Sequence, residues 1–174
     1  MSIESSTPFR ITIAHENDRE PLERLWLLFR HDMSAFTGAL PDTSGRFRQE
    51  RLDAALGSPG WRGYLMALGD APVGLAVARS LDGDEHVLSS FFLVNGARGV
   101  GHGLAAARLV IQDKPGAWAV AFQDANTTAA RFWRRVARDA VGSAWTEKHE
   151  SVPGLPSLWP DTWIRFDTRS GSAL

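Results

Sequence analysis

Three glycines at alternate positions, Gly99, Gly101 and Gly103, precede an alanine-rich segment whose pattern predicts a helix. The first turn of a helix has about four N–H groups without intrahelical partners and carries a partial positive charge, so it favours anions such as phosphate. Glycine also leaves the backbone bare enough for a ligand to approach closely. The run therefore indicates a phosphate-binding loop or, more simply, a tight turn before a helix.

The spacing of the glycines separates three kinds of phosphate loop. A Walker loop ends in Gly-Lys-Ser/Thr, which this run lacks. The dinucleotide fingerprint G-x-G-x-x-G/A fits from Gly101 to Ala106 on pattern alone, but the run lies in mid-chain after several strands, and no acidic residue ends the next strand. The third frame is R-x-x-G-x-G, formed by Arg98, Gly101 and Gly103.

The elements that must position this loop can be predicted from hydrophobic periodicity. "FRITIA" alternates as a strand, and apolar residues spaced three and four apart after Asp18 predict a helix that extends through Met33. "RFRQERLDAALG" predicts a charged helix that ends at Gly57. "GYLMAL" and "VGLAVARS" form a predicted hairpin across "GDAP", and "HVLSSFFLV" predicts the fourth strand.

The second half of the chain predicts a βαβα unit. The fourth strand, the glycine loop and the helix "GLAAARLVIQ" are followed by the strand "AWAVAF" and the helix "NTTAARFWRRVARDA". A connection of this length makes the fourth and fifth strands parallel. "SAWTEKHES" and "TWIRF" would close the sheet. The predicted fold class is α+β, with a mixed sheet of about six to seven mostly antiparallel strands flanked by about four helices.

Composition limits the classes of partner. The chain of 174 residues fits one domain, residues 1–174, and its net charge of −1 argues against nucleic-acid binding. No apolar run approaches the roughly 18 residues of a membrane span, so no membrane contact is expected. The N-terminus has no signal-peptide pattern, which predicts a cytoplasmic protein. The chain has no cysteine, so thiol catalysis and zinc–thiolate sites are excluded, and no metal is expected.

These motifs, in this order, resemble the GNAT N-acetyltransferase superfamily. Arg98, Gly101 and Gly103 match the family's acetyl-coenzyme A pyrophosphate loop, Q/R-x-x-G-x-G/A, which lies between the fourth strand and the third helix. "NTTAARFWRRV" resembles the family's next helix, and "LFRHDMSAFTG" resembles a segment of some bacterial members. The resemblance covers most of the chain and implies a sheet that is splayed between strands four and five.

The resemblance implies an acetyl-coenzyme A site. The loop N–H groups would hold the pyrophosphate, the end of the fourth strand would pair with the pantetheine arm through backbone atoms, and the last helix would flank that arm. The residues implied are Phe92, Leu93, Val94, Arg98, Gly99, Val100, Gly101, His102, Gly103, Leu104, Asn126 and Phe132. Asn126 is also explained as a helix N-cap, and Phe132 and Trp133 as ordinary core.

The same resemblance implies direct attack of a neutral amine on the thioester, with the developing oxyanion held by a backbone N–H near Leu93 or Val94. Many family members place a tyrosine on the helix after the fifth strand as general acid. Phe132 or Trp133 occupies that place here, and the only tyrosine is Tyr64 in an earlier strand. The general acid is therefore not assigned.

The general base is also not fixed by the resemblance. Related sequences carry a glutamate directly before the paired phenylalanines, where this chain has Ser90. Glu85 and His86 are then candidate bases, acting directly or through a water ordered by Ser90. Strand alternation predicts that His86, Leu88, Ser90 and Phe92 share one face. His86 is equally explained as a histidine at the end of a strand.

Acceptor selection in the family lies in the first two helices and the last strands. The residues implied there are Trp26, Arg30, His31, Asp32, Phe36, Trp145, His149, Trp159 and Trp163. Seven tryptophans are consistent with an aromatic pocket for a flat or cationic small molecule, although tryptophans also fill core seams. Asp32 either holds the His31 imidazole or caps a helix end.

The function expected from the sequence is transfer of an acetyl group from acetyl-coenzyme A to the amine of a small molecule, such as an antibiotic or another secondary metabolite. The alternatives are a non-catalytic acyl-coenzyme A-binding module and a protein or peptide N-acetyltransferase. The latter would favour an acidic groove, and the sequence has no acidic cluster. Homodimers are common in the family, and a homodimer is an expectation that rests on the resemblance alone.

Overall fold

The described part of the chain folds as an α+β protein, as the sequence predicts. The computed structural model describes residues 7–151 and 161–170. Its strands and helices, in chain order, are β1 (Phe9–Ile13), α1 (Arg19–Thr37), α2 (Glu50–Gly57), β2 (Arg62–Leu68), β3 (Ala71–Arg79), β4 (Glu85–Leu93), α3 (His102–Asp113), β5 (Ala117–Phe122), α4 (Thr127–Val141), β6 (Trp145–Glu150) and β7 (Asp161–Asp167). None of the helices in these two ranges is long and apolar enough to cross a membrane.

The seven strands form one sheet in the order β1-β2-β3-β4-β5-β7-β6. Only β4 and β5 pair in parallel, because the α3 crossover connects them, and all other neighbouring strands are antiparallel. The predicted parallel pair is therefore confirmed. The predicted second helix is shorter than its sequence pattern, since α2 begins only at Glu50.

Apolar clusters cover both faces of the sheet. On the α1/α2 face, α1 packs on β3 and β4, and α2 packs on β2 and β3. That cluster contains Leu22, Leu25, Trp26, Phe29, Leu52, Ala55, Leu75, Val77 and Phe92. On the α3/α4 face, the other two helices cover a cluster that includes Leu88, Leu93, Ala106, Val110, Trp118, Val120, Trp133, Val136 and Ile164. The sheet therefore separates two independent cores.

A β-bulge interrupts β4 at Ser89. Leu88 pairs with Ala78 and Ser90 pairs with Val77, which leaves Ser89 without a partner on β3. The Ser89 hydroxyl instead donates to the carbonyl oxygen of Val77 at 3.1 Å. An extra residue in one strand reverses the alternation of side chains beyond it.

The bulge corrects one prediction about β4. Leu88, before the bulge, lies in the α3/α4 cluster, whereas Phe92, after it, lies in the α1/α2 cluster. The prediction that His86, Leu88, Ser90 and Phe92 share one face is therefore wrong. His86 lies with Leu88, where its ring makes an edge contact with that of Trp118, and Ser90 lies with Phe92.

β4 and β5 separate toward their carboxyl ends. Their parallel pairing runs from Glu85 to Leu88 on β4 and stops there. β4 continues beside β3 as far as Leu93, and β5 continues beside β7 as far as Phe122. The sheet is therefore open between the last residues of these two strands, directly below the glycine loop. We call this opening the β4/β5 gap.

The close approach of β3 and β4 beside this gap depends on Gly74. A Cβ at Gly74 would lie against the Phe92 carbonyl oxygen and 2.7 Å from Leu93 Cδ2. We expect Gly74→Ala to lower the free energy of unfolding by about 2 kcal/mol, because overpacking typically costs about 1–3 kcal/mol. Chemical denaturation at neutral pH measures the change.

Gly57→Ala is the matched control for this substitution. Gly57 is the last residue of α2, and a Cβ there would meet no atom within 4 Å. Alanine has the higher helix propensity, so this variant should be as stable as the wild type or more stable by up to about 1 kcal/mol. Equal stability of both variants would contradict the close packing assigned to Gly74.

Candidate functional site

The glycine loop presents free backbone donors. Gly99 has a φ of +82° and Gly101 a φ of +94°, and a Cβ on either would meet no atom within 4 Å. The N–H groups of Gly99, Val100 and Gly101 donate to no other residue of the described ranges. The first N–H groups of α3, which follow directly, have no intrahelical acceptor. The loop therefore directs a row of donors outward at the positive end of the α3 dipole.

The side chains of the loop face away from this row of donors. Val100 is exposed, and the His102 ring stacks on Phe9 of β1 with 4.5 Å between the ring centroids. Leu104 packs against the α3/α4 cluster. At these three positions the backbone N–H groups, rather than the side chains, are therefore the candidate donors to an anion.

An aromatic cluster lines the α3/α4 side of the β4/β5 gap. The Phe91 ring lies 5.5 Å from that of Phe132 and 5.2 Å from that of Trp133, measured between centroids. A Cβ at Gly103 would lie 3.2 Å from the Phe132 ring, so this glycine lets the start of α3 approach α4. The Phe132 ring therefore packs next to both Gly103 at the start of α3 and Phe91 beside the β4/β5 gap.

Arg98 ties the glycine loop to β4 and to α1. Its Nε donates to the Leu93 carbonyl oxygen at 2.7 Å, and its Nη2 donates to Asp32 at 2.9 Å. Its guanidinium also lies 5.5 Å from the centroid of the Phe92 ring. The Arg98 side chain therefore positions the loop and points away from its free N–H groups. The Asp32 carboxylate therefore binds Arg98 and does not hold the His31 imidazole.

The structure reduces the number of backbone N–H groups at the end of β4 that could serve as the oxyanion donor. The N–H of Val94 donates to the Val73 carbonyl oxygen at 2.8 Å, so the expectation that Val94 supplies an oxyanion donor is wrong. Leu93 remains the candidate donor, although its carbonyl oxygen already accepts from Arg98. At the start of α4, the Asn126 side chain accepts from the Ala129 N–H at 3.1 Å, so it acts as the N-cap.

Glu85 and His86 lie at the closed end of β4 and do not reach the β4/β5 gap. Both belong to the stretch in which β4 and β5 are still paired. Glu85 accepts from the Arg165 guanidinium at 3.1 Å. His86 is 5% exposed, with Nδ1 3.1 Å from the Ser80 carbonyl oxygen and its ring against Gly116. The two residues therefore lie before the strands separate at Leu88, and their role as base, directly or through a water ordered by Ser90, stays a prediction.

The acceptor residues predicted on α1 have different roles. Trp26 is 3% exposed, and its Nε1 donates to the Arg48 carbonyl oxygen at 2.9 Å. It is a core residue that holds the connection between α1 and α2, so its assignment to an acceptor pocket is wrong. His31 and Phe36 are exposed, whereas Arg30 is half-buried. Arg30, like Asp32, is therefore partly buried without belonging to the core.

The late tryptophans are divided between the two faces of the sheet. Trp163 is half-buried on the α1/α2 face, where the Arg165 guanidinium lies 5.1 Å from its ring centroid. Trp145 packs against the α3/α4 cluster. Trp159 lies outside the described residues. Trp145 and Trp163 therefore do not line a common pocket.

A pocket of about 340 Å³ lies on the α3/α4 face beside the start of α4. Its polar lining includes Asp124, which accepts from the Thr162 hydroxyl and lies 2.7 Å from His149 Nε2. These hydrogen bonds, that of Thr162 foremost, lower the pKa of Asp124. Asp124 therefore stays ionised and engaged with its two partners.

Two charged residues near the gap were missed by the sequence reasoning. Asp161 begins β7, one residue beyond the pairing of β5 with β7, and is half-buried. Burial and the charge of Asp124 raise the pKa of Asp161, and the opposite charge of Arg51 partly offsets this. Arg51 lies on α2 and donates to the Ser89 carbonyl oxygen at 3.1 Å. No local pattern signals either residue, because their proximity depends on strand order.

The polar groups around Ser90 are incompletely paired. Ser90 is 4% exposed, and its Oγ and the Nε of Arg30 are the buried side-chain atoms without a hydrogen-bond partner in the described ranges. Tyr64, by contrast, donates to Asp113 at 2.8 Å, and burial raises the pKa of its phenol. Tyr64 is therefore engaged elsewhere, and Ser90 is the predicted catalytic residue that does lie beside the gap.

Comparison with known proteins identifies the fold. Neither a protein-family model nor a curated protein sequence matches the chain. An acetyltransferase from Thermus thermophilus aligns over 93% of this chain and 98% of its own, with a TM-score of 0.65 and 17% identity. A GNAT-family acetyltransferase from Staphylococcus aureus aligns over 92% and 99%, with a TM-score of 0.64 and 15% identity. A Bacillus subtilis acetyltransferase in complex with CoA aligns over 92% and 99%, with a TM-score of 0.59 and 14% identity.

The chain therefore has the fold of the GNAT acetyltransferases, which confirms at the level of fold what the sequence motifs indicated. Proteins with unlike acceptors share this fold. They include the ribosomal-protein-S18-alanine N-acetyltransferase of Escherichia coli and an aminoglycoside acetyltransferase from a soil metagenomic sample. The fold by itself therefore does not select an acceptor.

The two ends of β7 provide a test of the charges at the site. The folded-state pKa of Asp161 lies above its unfolded value, so the folded chain binds this proton more tightly, and the contribution of Asp161 to stability falls as pH rises through the two values. At pH 7 the ionised carboxylate is destabilising, and Asp161→Asn should raise the melting temperature. Below about pH 4 the Asp161 carboxyl is protonated and therefore neutral, like the asparagine of the variant, so the difference in melting temperature between the two proteins should disappear.

Asp167→Asn, at the other end of β7, should behave in the opposite way. Hydrogen bonds from Arg169 lower the pKa of Asp167 to about 2, so its stabilising contribution is present above the unfolded value and lost as pH falls through the folded one. This variant should melt at a lower temperature than the wild type at pH 7. Calorimetric scans between pH 3 and pH 7 measure the melting temperatures of both variants. Shifts of the same sign at pH 7 would contradict the opposite pKa shifts of Asp161 and Asp167.

Proposed function

We propose that this chain is an N-acetyltransferase that transfers an acetyl group from acetyl-coenzyme A to the amine of a small molecule. One observation carries the proposal: the free N–H groups of the glycine loop lie at the open end of the β4/β5 gap. A Bacillus subtilis protein of the same fold was solved with CoA. A diphosphate at the loop and an extended arm in the gap would fit this arrangement.

The residues around the loop are compatible with the cofactor. The N–H groups from Gly99 to Leu104 would hold the diphosphate, and the open space beside Gly99 and Gly101 leaves room for its oxygens. Phe91 and Phe132 would contact the arm on the α3/α4 side of the gap. When bound, acetyl-coenzyme A supplies an activated acyl group with a good leaving thiol.

The chain itself would supply positioning, an oxyanion donor and a proton acceptor. The N–H of Leu93 is the candidate oxyanion donor, because that of Val94 is bound within the sheet. Asp161 joins Glu85 and His86 as a candidate proton acceptor. Its raised pKa favours proton uptake, and it begins β7 beside the end of β5, where the gap opens. Phe132 and Trp133 offer no acidic hydroxyl, so the leaving thiolate would be protonated by water.

The loop assignment is tested by Gly101→Glu. The substitution adds a carboxylate beside the donors that would hold the diphosphate, and like charges at this distance repel. We expect the dissociation constant of acetyl-coenzyme A, measured by titration calorimetry, to rise by about tenfold or more, which corresponds to about 1.4 kcal/mol. Unchanged affinity in a folded variant would show that the loop is only a tight turn.

Gly142→Glu controls for backbone strain. Gly142 ends α4 with a φ of +64°, and a Cβ there would also meet no atom within 4 Å. It therefore places the same side chain on another backbone with positive φ, away from the loop. This variant should lose stability but keep the wild-type affinity for acetyl-coenzyme A.

Turnover separates the enzyme from the two alternatives. The wild type is mixed with acetyl-coenzyme A and either small primary amines or peptides with free N-termini, and thiol release is followed. Turnover of small amines supports the proposal, and turnover of peptides alone would favour a peptide acetyltransferase. Binding without acetylation of any amine would favour an acyl-coenzyme A-binding module. If Asp161 accepts the proton, Asp161→Asn should also remove the fall in kcat/KM at low pH.

A further inference from the structure

Three arginines stand close together on the α1/α2 side of β4. Arg51 and Arg30 project from the helices, and Arg79 ends β3 on the same face as Val77. Partial desolvation lowers the pKa of Arg51, although its side chain is exposed, and the like charges of Arg79, Arg30 and Arg48 lower it further. Arg79 and Arg30 therefore both lie within electrostatic reach of Arg51, although like charges repel when brought together.

These three arginines differ from the arginines around them. Arg48 pairs with Glu50 at 3.0 Å, Arg98 with Asp32 at 2.9 Å and Arg165 with Glu150 at 2.6 Å. In residues 7–151 and 161–170, no carboxylate forms an ion pair with Arg30, Arg51 or Arg79. Asp161 attracts Arg51 and Glu50 attracts Arg30, but neither carboxylate forms an ion pair with these arginines in the described ranges. The group therefore holds an excess of positive charge.

Several polar groups beside these arginines have hydrogen-bonding atoms without a partner in the described ranges. Within residues 7–151 and 161–170, Arg51 donates only through Nη1, to the Ser89 carbonyl oxygen, whereas a guanidinium has five N–H donors. The Nε of Arg30 and the Oγ of Ser90 are buried without a partner among the described residues. Ser90 is 4% exposed and lies directly after the bulge on this face. A buried polar atom without a partner costs free energy, so its retention points to a ligand.

We propose that the acceptor carries an anionic group, a carboxylate or a phosphonate-like oxyanion, close to its amine, and that Arg51 binds this group. Arg30 and Arg79 supply the surrounding positive charge, and the Ser90 hydroxyl donates to the same group. A guanidinium binds such oxyanions through two parallel N–H bonds, which also orients them. This acceptor class rests on the proposed function and makes it more specific. It also replaces the flat or cationic acceptor expected from the tryptophans.

The test uses coenzyme A conjugates that cannot transfer their acyl group. The sulfur of coenzyme A is joined through a CH2–CO unit to the amine of alanine, of 1-aminoethylphosphonate or of ethylamine, and each dissociation constant is measured by calorimetry. Coenzyme A itself is titrated in parallel. Because the three conjugates differ only in the anionic group, the alanine or phosphonate conjugate should bind about tenfold tighter than the ethylamine conjugate. The tighter of the two identifies the kind of oxyanion.

Arg51→Gln should reduce that advantage to about threefold or less, because the bidentate donor is lost. The affinities for coenzyme A and for the ethylamine conjugate should stay as in the wild type. Arg79→Gln should act in the same direction and serves as the second variant if Arg51→Gln does not fold. Arg135→Gln, exposed on α4 on the other face of the sheet, is the matched control and should change nothing.

Two results would overturn the acceptor class. One is equal binding of the ethylamine and anionic conjugates to the wild type while coenzyme A binds normally, and the other is an advantage that survives Arg51→Gln. Either outcome leaves the proposed acetyltransferase intact. Failure of coenzyme A itself to bind would instead remove the proposed function, and the acceptor class with it.

Discussion

The hydrogen bonding between β4 and β5 stops after Leu88, and the rest of the site depends on that interruption. β3 holds the outer edge of β4 as far as Leu93, and β7 holds the outer edge of β5 as far as Phe122. Each strand is thus stabilised on its outer side while the inner edges diverge. The opening leaves backbone groups of β4 facing a gap that the glycine loop and α3 overhang. A sheet paired along its full length would offer the loop no adjoining channel.

The bulge at Ser89 lies just beyond the last β4–β5 pair and distributes the site between two faces. Before it, His86 and Leu88 lie on the α3/α4 face. After it, Ser90 and Phe92 lie toward α1 and α2, while Phe91 lies toward α4. The aromatic wall and the arginines therefore lie on opposite sides of one strand. Under the proposed function, cofactor and acceptor would meet at that strand from opposite faces.

The sequence predicted what depends on local spacing and failed where tertiary geometry decides. The glycine loop follows from residues within one turn of a helix, and the parallel strand pair follows from a short crossover. The shared face of His86 and Ser90 was wrong because a bulge has no reliable local signature. Asp161 was missed because strand order places β7 beside β5. Trp26, in contrast, stands in register with Leu22, Leu25 and Phe29, so its burial was already indicated by the helical period.

The most direct test of this account is amide hydrogen exchange, followed by mass spectrometry, with and without coenzyme A. The donors assigned to the diphosphate are backbone N–H groups, so exchange reports on them directly. We expect slower exchange in peptides that cover Phe91 to Leu104 and little change in those that cover β1, β2 and β6. Unchanged exchange from Phe91 to Leu104, with protection elsewhere or nowhere, would contradict the assignment of the glycine loop and the β4/β5 gap as the cofactor site.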